Sequence, residues 1–249
     1  MKIGLIGFGK TGKAVAFVII ENNNLSLEWV LRRSTALNRR SSSEFLGIQS
    51  NDSAIIYSSE TLQIKELLDK YPVDIIIDFS SETGIYTYGE VAAHRKIIII
   101  SAISHYEERE IKLLNKLSKE TTVFWSPNIT IGVNYLLIVA KFLKKISPSV
   151  DIEIIEEHFK EKVGVSGTAV KIAEGLGIKK EKINSIRAGG IVGKHELIFG
   201  FPYQTIRLKH ESISREAFGN GVVFVAENLI NKKEGLFNFE DLLSPYFKP

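Results

Sequence analysis

Residues 2–20 constrain this chain more than any other stretch. Lys2-Ile3-Gly4-Leu5-Ile6 is short, apolar and strand-like; Gly7-Phe8-Gly9-Lys10-Thr11-Gly12 follows at once; and residues 13–20 read as a helix that Asn22-Asn23-Asn24 ends. A GxGxxG run between a strand and a helix is a dinucleotide-binding turn. The first glycine allows the tight reversal, the second lets a pyrophosphate approach the backbone, and the third lets helix and strand pack closely. The amides at the start of the helix then face the phosphates. Gly7, Phe8, Gly9, Lys10, Thr11 and Gly12 are therefore read as cofactor-binding residues.

The tip of the second strand selects the dinucleotide. A carboxylate there would bind the ribose 2′-hydroxyl of NAD, whereas arginine accommodates a 2′-phosphate. This chain reads Val30-Leu31-Arg32-Arg33-Ser34 with no acid. Arg32 and Arg33 thus point to NADPH as the preferred cofactor, with NADH as the second possibility.

Strand and helix keep alternating behind the turn. Residues 25–31 read as a strand and 62–70 as a helix. Residues 73–79 form an apolar run of the kind buried on both faces of a parallel sheet. Residues 82–94 and 107–119 are helical in pattern, and 97–100 and 122–125 are strand-like. This rhythm predicts an α/β fold with a Rossmann-like doubly wound parallel sheet. Near residue 128 it changes. Residues 128–134 look like a loop and 135–145 like a helix. Strands follow in series at 151–156, 182–188, 196–200 and 204–210, which predicts a second α+β domain with a mixed or antiparallel sheet. Residues 215–231 read as a long helix with a short tail behind it, and Arg39-Arg40-Ser41-Ser42-Ser43 as a solvated loop.

Composition removes several function classes. With 44% hydrophobic and 24% charged residues over 249 positions, the chain has the apolar content for a packed core. The net charge is +3, and basic residues are interleaved with acids, so no nucleic-acid partner is expected. The absence of cysteine excludes disulfides, thiolate catalysis and cysteine-ligated zinc. The histidines have no ligand spacing, so no metal is expected. No stretch approaches the ~20 apolar residues of a membrane span, and no signal peptide is evident. The expectation is a cytoplasmic protein without a membrane partner.

Residues 153–169 carry the second constellation. A strand reads as delivering His158 and Lys162, and Ser166-Gly167-Thr168 opens a helix with Ser166 at its N-cap. A helix start holds carboxylates, lysine adds positive charge, and an imidazole can deliver a proton. Together these suit reduction of a small anionic substrate by hydride and proton. His158 and Lys162 are the candidate catalytic residues; Ser166, Gly167 and Thr168 are the candidate substrate-binding residues.

At this point the chain resembles a known family, dihydrodipicolinate reductase (4-hydroxy-tetrahydrodipicolinate reductase) of bacterial lysine biosynthesis. The residues that carry the likeness run almost end to end: Gly7 to Gly12, Ile77-Asp78-Phe79-Ser80, residues 128–134 and 153–169, Arg187-Ala188-Gly189-Gly190-Ile191-Val192-Gly193-Lys194-His195, and Ser214 to Phe218. The resemblance implies a cofactor domain from residues 1–127 and 215–249, and a substrate-binding and oligomerisation domain at 128–214. It implies reduction of a cyclic imine or enamine-like dicarboxylate by NAD(P)H in lysine and diaminopimelate biosynthesis, by a homo-oligomer, tetramer or dimer. His158 would be the proton donor and Lys162 would assist reduction and bind substrate. Gly167 and Thr168 would hold a carboxylate. Phe79 and Ser80 would lie near the nicotinamide, Ser101 would open the loop that approaches it, and Asn128 would sit at the domain junction. Phe159 stands where the family has a second histidine, the family's Asp and Pro before Ser-Gly-Thr are missing, and Ser101-Ala102-Ile103-Ser104-His105 replaces a Gly-Thr-Thr-Gly loop. Two alternatives follow from these differences: a paralogous reductase of another small imine or keto acid, and a non-catalytic NADP(H)-binding protein.

Overall fold

The computed structural model describes residues 1–52 and 54–247. The chain divides into two compact units, residues 1–129 with 218–249, and residues 130–217.

In the first unit, strands and helices alternate as β1 (Lys2–Ile6), α1 (Lys10–Ile20), β2 (Ser26–Arg32), α2 (Ser42–Leu46), β3 (Ile55–Ser58), α3 (Ile64–Lys70), β4 (Ile75–Asp78), α4 (Ile85–His94), β5 (Ile98–Ser101), α5 (Glu108–Leu117) and β6 (Thr122–Trp125). The second unit contains α6 (Ile131–Ile146), β7 (Asp151–His158), α7 (Gly167–Leu176), β8 (Ile183–Arg187), β9 (Gly193–Phe201) and β10 (Gln204–Ser212). Then α8 (Glu216–Leu229) returns the chain to the first unit, which ends with β11 (Gly235–Phe237) and α9 (Phe239–Leu243).

The first sheet is parallel throughout, in the order β11-β6-β5-β4-β1-β2-β3. Its central strands are buried along their whole length, as in Ile75-Ile76-Ile77-Asp78 and Ile98-Ile99-Ile100-Ser101. That continuous burial is why they read as unbroken apolar runs. The order reverses between β1 and β4, and ligands of such sheets bind outside the carboxyl ends of the strands at that switch point. The glycine turn follows β1, and Phe79-Ser80 follows β4, so both stand there.

The second sheet is mixed, in the order β10-β9-β7-β8, with β7 and β8 parallel and the other pairs antiparallel. Its inner face packs under α6 and α7 around Leu136, Ala140, Ile152, Ile154, Ile172, Leu176, Leu197 and Phe199. The fold class is therefore a Rossmann-like doubly wound sheet plus a second α+β unit.

Four local expectations are corrected. Residues 39–43 are not a solvated loop: Ser41 caps α2, accepting from the Glu44 amide, and Ser42 and Ser43 are buried. Residues 128–134 are not all loop, because α6 begins at Ile131 behind Thr130. The tail after the last long helix adds β11, which pairs in parallel with β6. Finally, β7 ends at His158, so Lys162 lies in the turn beyond the strand and not on it.

Phe199 is fully buried in the second core. Phe199→Ala is expected to lower unfolding free energy by about 3–5 kcal/mol, read as a lower denaturation midpoint with unchanged slope in urea.

Candidate active site

The carboxyl end of the first sheet is built around the glycine turn. Gly7 has φ +96°, and a Cβ there would lie 2.6 Å from the Phe79 carbonyl carbon; a Cβ on Gly12 would lie 2.2 Å from the Gly7 carbonyl oxygen. Gly9 differs, since a Cβ there would meet nothing within 4 Å. The first and third glycines thus serve the chain's own packing, while the second keeps an approach to the backbone open. Gly9 is also the N-cap of α1, no side chain caps that end, and its first turn holds Lys10 and Thr11 but no acid. A lysine at a helix N-terminus opposes the helix dipole unless an anion lies there. These features fit a dinucleotide pyrophosphate.

A groove of about 500 Å³ collects Gly7, Phe8, Gly9, Arg32, Arg33, Phe79 and Ser80 among its lining residues. Arg32 donates to the Ala36 carbonyl at 3.1 Å, and Arg33 is exposed with its own carbonyl held by the Ser58 hydroxyl. A second groove of about 490 Å³ takes in Thr11, Phe79, Ser80 and the loop Ala102-Ile103-Ser104. Ser101 is buried, with its hydroxyl 2.8 Å from that of Tyr106. Asn128 accepts at its carbonyl from the Ser126 hydroxyl at 2.6 Å. Lys10 stands exposed on α1.

Asp78 anchors this end, although the sequence reading gave it no site role. It is fully buried, and accepts from the Ser80 amide at 2.8 Å, the Ser80 hydroxyl at 2.6 Å and the Tyr88 hydroxyl at 3.0 Å. Burial pushes its carboxyl up to about 6 against the pull of those three donors, none of which carries a charge.

The second constellation grows from strand register. On the inner face of the second sheet, residues pair across strands in rows. Ile152, Phe199 and Ile206 form one row, and Ile183, Ile154, Leu197 and Leu208 the next. The following row is polar: Ser185, Glu156, His195 and His210. Beyond it His158 pairs with Arg187. One sheet face thus changes from hydrophobic core to polar site within two residues of β7.

Glu156 has no exposed surface. One carboxylate oxygen accepts from Ser185 Oγ at 2.6 Å, Arg187 Nη2 at 2.6 Å and the Ser166 amide at 3.2 Å; the other meets Arg187 Nη1 at 3.0 Å and His158 Nδ1 at 2.5 Å. Burial would raise its pKa, but Arg187, Ser185, His158 and the Ser166 amide outweigh burial and bring it to about 2. For His158, burial dominates and holds the imidazole below its usual value, with Glu156 opposing and Lys162 and Arg187 reinforcing. A Cβ on residue 193 would lie 3.1 Å from His158 Nε2, so Gly193 leaves that nitrogen uncovered.

Ser166 is buried and caps α7, accepting from the Ala169 amide. Its hydroxyl lies 3.0 Å from His195 Nε2, while His195 Nδ1 is buried without a partner. Burial brings the His195 pKa down to about 3, so the ring is neutral. An unpartnered buried acceptor is tolerated better than an unpartnered N–H, which places the His195 proton on Nε2, donating to Ser166. With both lone pairs engaged, the Ser166 hydroxyl proton remains for another acceptor. Gly167 is exposed at the helix start, with Thr168 half-buried beside it. Glu156 therefore holds the His158 ring and the start of α7, where Gly167 and Thr168 follow Ser166, and through Arg187 it holds the Lys162 carbonyl.

Sequence reasoning did not single out Glu156, Arg187, Ser185, Gly193 or His195 as site residues. The available signal was register: in residues 151–158 Ile152, Ile154, Glu156 and His158 are buried and alternate with less buried positions.

Comparison with known proteins places this geometry. The chain matches the dihydrodipicolinate reductase family models, the N-terminal one over residues 1–129 and the C-terminal one over residues 132–243. A relative named 4-hydroxy-tetrahydrodipicolinate reductase from Caldanaerobacter subterraneus is 35% identical over 196 residues, 70% of this chain and 78% of that protein. One of the same name from Staphylococcus aureus is 28% identical over 97% of this chain and all of its own length. Among solved structures, the dipicolinate-bound dihydrodipicolinate reductase of Paenisporosarcina sp. TG-14 shares the fold, with TM-score 0.79 at 19% identity over 97% of this chain and 98% of that one.

The raised Asp78 pKa has a consequence for stability. From pH 3.8 to about 6 the folded chain keeps a proton that the unfolded chain has released, so the Asp78 contribution falls as pH rises through that window. Asp78→Asn is expected to remove this decline, on the order of 3 kcal/mol in full, measured as a flatter pH dependence of urea unfolding. With both halves of the chain matched and the two sites assembled on their respective sheets, the protein belongs to the dihydrodipicolinate reductase family.

Proposed function

We infer that this chain is an NAD(P)H-dependent reductase of 4-hydroxy-tetrahydrodipicolinate in lysine and diaminopimelate biosynthesis, with residues 1–129 and 218–249 as its cofactor unit and 130–217 as its substrate unit. The observation that carries this reading is that Glu156 holds the His158 imidazole and the Ser166 amide at the start of α7, with the Lys162 carbonyl tied to it through Arg187, in a chain matched to the family over nearly its whole length.

Loss of the 4-hydroxyl as water gives the dihydrodipicolinate form, and reduction then adds a hydride and a proton across its conjugated unsaturation. NAD(P)H, when bound, supplies the hydride. The residues of this chain do the rest. Ser166, Gly167 and Thr168 receive a substrate carboxylate at the start of α7, where the helix dipole and first-turn amides favour an anion. Lys162 adds a positive charge from the half-buried turn before it. His158 delivers the proton. Burial holds its pKa below the ordinary value in the free protein, and an arriving dianion favours its protonated form. His158→Gln is expected to lower kcat by ~10²–10⁴-fold, the range for loss of a general acid. The assay follows NADPH oxidation with substrate generated in situ from aspartate semialdehyde and pyruvate. Full turnover by the variant would remove His158 from this role.

For the cofactor, the reading favours NADPH, since Arg32 and Arg33 line the groove at the end of β2 and no carboxylate stands at that tip. Hydrogen bonds to charged groups contribute about 1.5–3 kcal/mol each. Replacing both arginines with alanine should therefore raise KM for NADPH by ~10-fold or more and leave KM for NADH little changed. Parallel assays with the two cofactors test this, and equal effects on both would overturn it. The protein is proposed to act in the cytoplasm on a small anionic substrate, as a homo-oligomer; among the described residues no helix is long and apolar enough to cross a membrane.

A further inference from the structure

The guanidinium of Arg187 has five N–H groups, and all five are engaged. Nη1 and Nη2 donate to the two oxygens of Glu156, Nη1 also to the Ile186 carbonyl at 2.7 Å, Nη2 also to the Gly164 carbonyl at 2.5 Å, and Nε to the Lys162 carbonyl at 3.1 Å. Arg187 therefore fastens the turn that carries Lys162 to the carboxylate of Glu156. The same carboxylate holds the Ser166 amide, at the start of α7, and the His158 imidazole. Three pieces of backbone that present the proton donor, the cation and the anion-binding helix start are tied to one buried carboxylate.

We propose that Glu156 is the positioning residue of this site, with Arg187 as its counter-ion and staple. An ionised carboxylate only accepts hydrogen bonds, so it requires the His158 proton on Nδ1 and leaves Nε2, beside Gly193, as the nitrogen that takes up and delivers the reaction proton. Arg187 has a second function. It offsets the Glu156 charge, so the imidazole feels a neutral pair instead of a bare anion and is not locked in its protonated form. The charged and titratable groups around the ring are Glu156 on its own strand, Arg187 from β8, His195 from β9 at 5.4 Å between ring centroids, and Lys162 from the turn. This assignment rests on the proposed function for its catalytic meaning, but its geometry is testable without turnover.

The experiment is nitrogen-15 and proton NMR of the histidine side chains in the full-length protein, without substrate or cofactor, for the wild type, Glu156→Gln and Arg187→Met. The wild type at alkaline pH is expected to show His158 protonated on Nδ1. In Glu156→Gln the amide oxygen stays on Arg187 and its NH2 group faces the ring, so the proton moves to Nε2 and the His158 titration shifts to lower pH. Arg187→Met removes the offsetting charge and shifts that titration to higher pH. A role limited to packing gives no such pair of opposite shifts. With substrate, Glu156→Gln should lose about 10²-fold in kcat, as for a misplaced reacting group, with a smaller change in KM. A wild-type His158 protonated on Nε2, or titrations that move in the same direction in both variants, would overturn the proposal. The wild-type spectrum is decisive even if a variant does not fold. An inactive protein with the Nδ1 tautomer would count against the reductase reading alone, and an active one with the Nε2 tautomer against this inference alone.

Discussion

A single carboxylate with no access to water organises the second unit. Glu156 receives five hydrogen bonds, two of them from Arg187, and through them the ends of β7 and β8 and the start of α7 acquire fixed positions. Such a pair is poor evidence for stability, because desolvating two charges offsets most of what their attraction returns. Two apolar side chains would serve a core better here. The pair makes sense as a device for geometry. It converts a polar gap in a hydrophobic face into a rigid frame, and a half-satisfied version would be worse than none. Complete engagement of the guanidinium donors is consistent with that requirement.

The first unit solves its own problem with backbone instead of charge. At the switch point between β1 and β4 the chain must turn tightly, approach Phe79, and still leave space for phosphates. Gly7 and Gly12 are closed in by their own neighbours, whereas Gly9 opens outward. Asp78 completes the arrangement by holding the Ser80 amide and hydroxyl, so the turn after β4 is fastened to a strand end in the sheet centre.

How much of this was legible depends on what each feature contrasts with. The central parallel strands are buried on both faces, so Ile75 to Ile77 and Ile98 to Ile100 stand out as apolar runs. The edge strands β3 and β11 are four and three residues long, and strands so short pass for loop. The serines of residues 41–43 read as solvated because hydroxyls usually are; here a capped helix and burial beside β3 reverse the reading. In the site, His158, Lys162 and Ser166 to Thr168 are visible because each residue type is informative where it stands. Glu156 is one of several acids between residues 151 and 161, and only its place in the two-residue period separates it from Glu153 and Glu157, which point to the other face. Arg187 is invisible for another reason: its partner is supplied by strand pairing across 31 residues of sequence.

The two buried carboxylates show how much of the electrostatics is decided by one formal charge. Asp78 and Glu156 both lack exposed surface, and each accepts several hydrogen bonds. Asp78 has only neutral donors and is pushed up to about 6, whereas Glu156 has a bidentate guanidinium and is held at about 2. Burial raises both, and only Glu156 has a cationic partner to set against it. The linkage signs are therefore opposite. Glu156 contributes stability that is present above its ordinary range near 4.5 and is lost as pH falls toward 2, while the Asp78 contribution declines as pH rises from 3.8 to about 6. A carboxylate that must stay ionised to set a histidine tautomer needs a cation within the fold. A carboxylate that only anchors a turn keeps its acceptor geometry without one, and neutral hydroxyl and amide donors are enough.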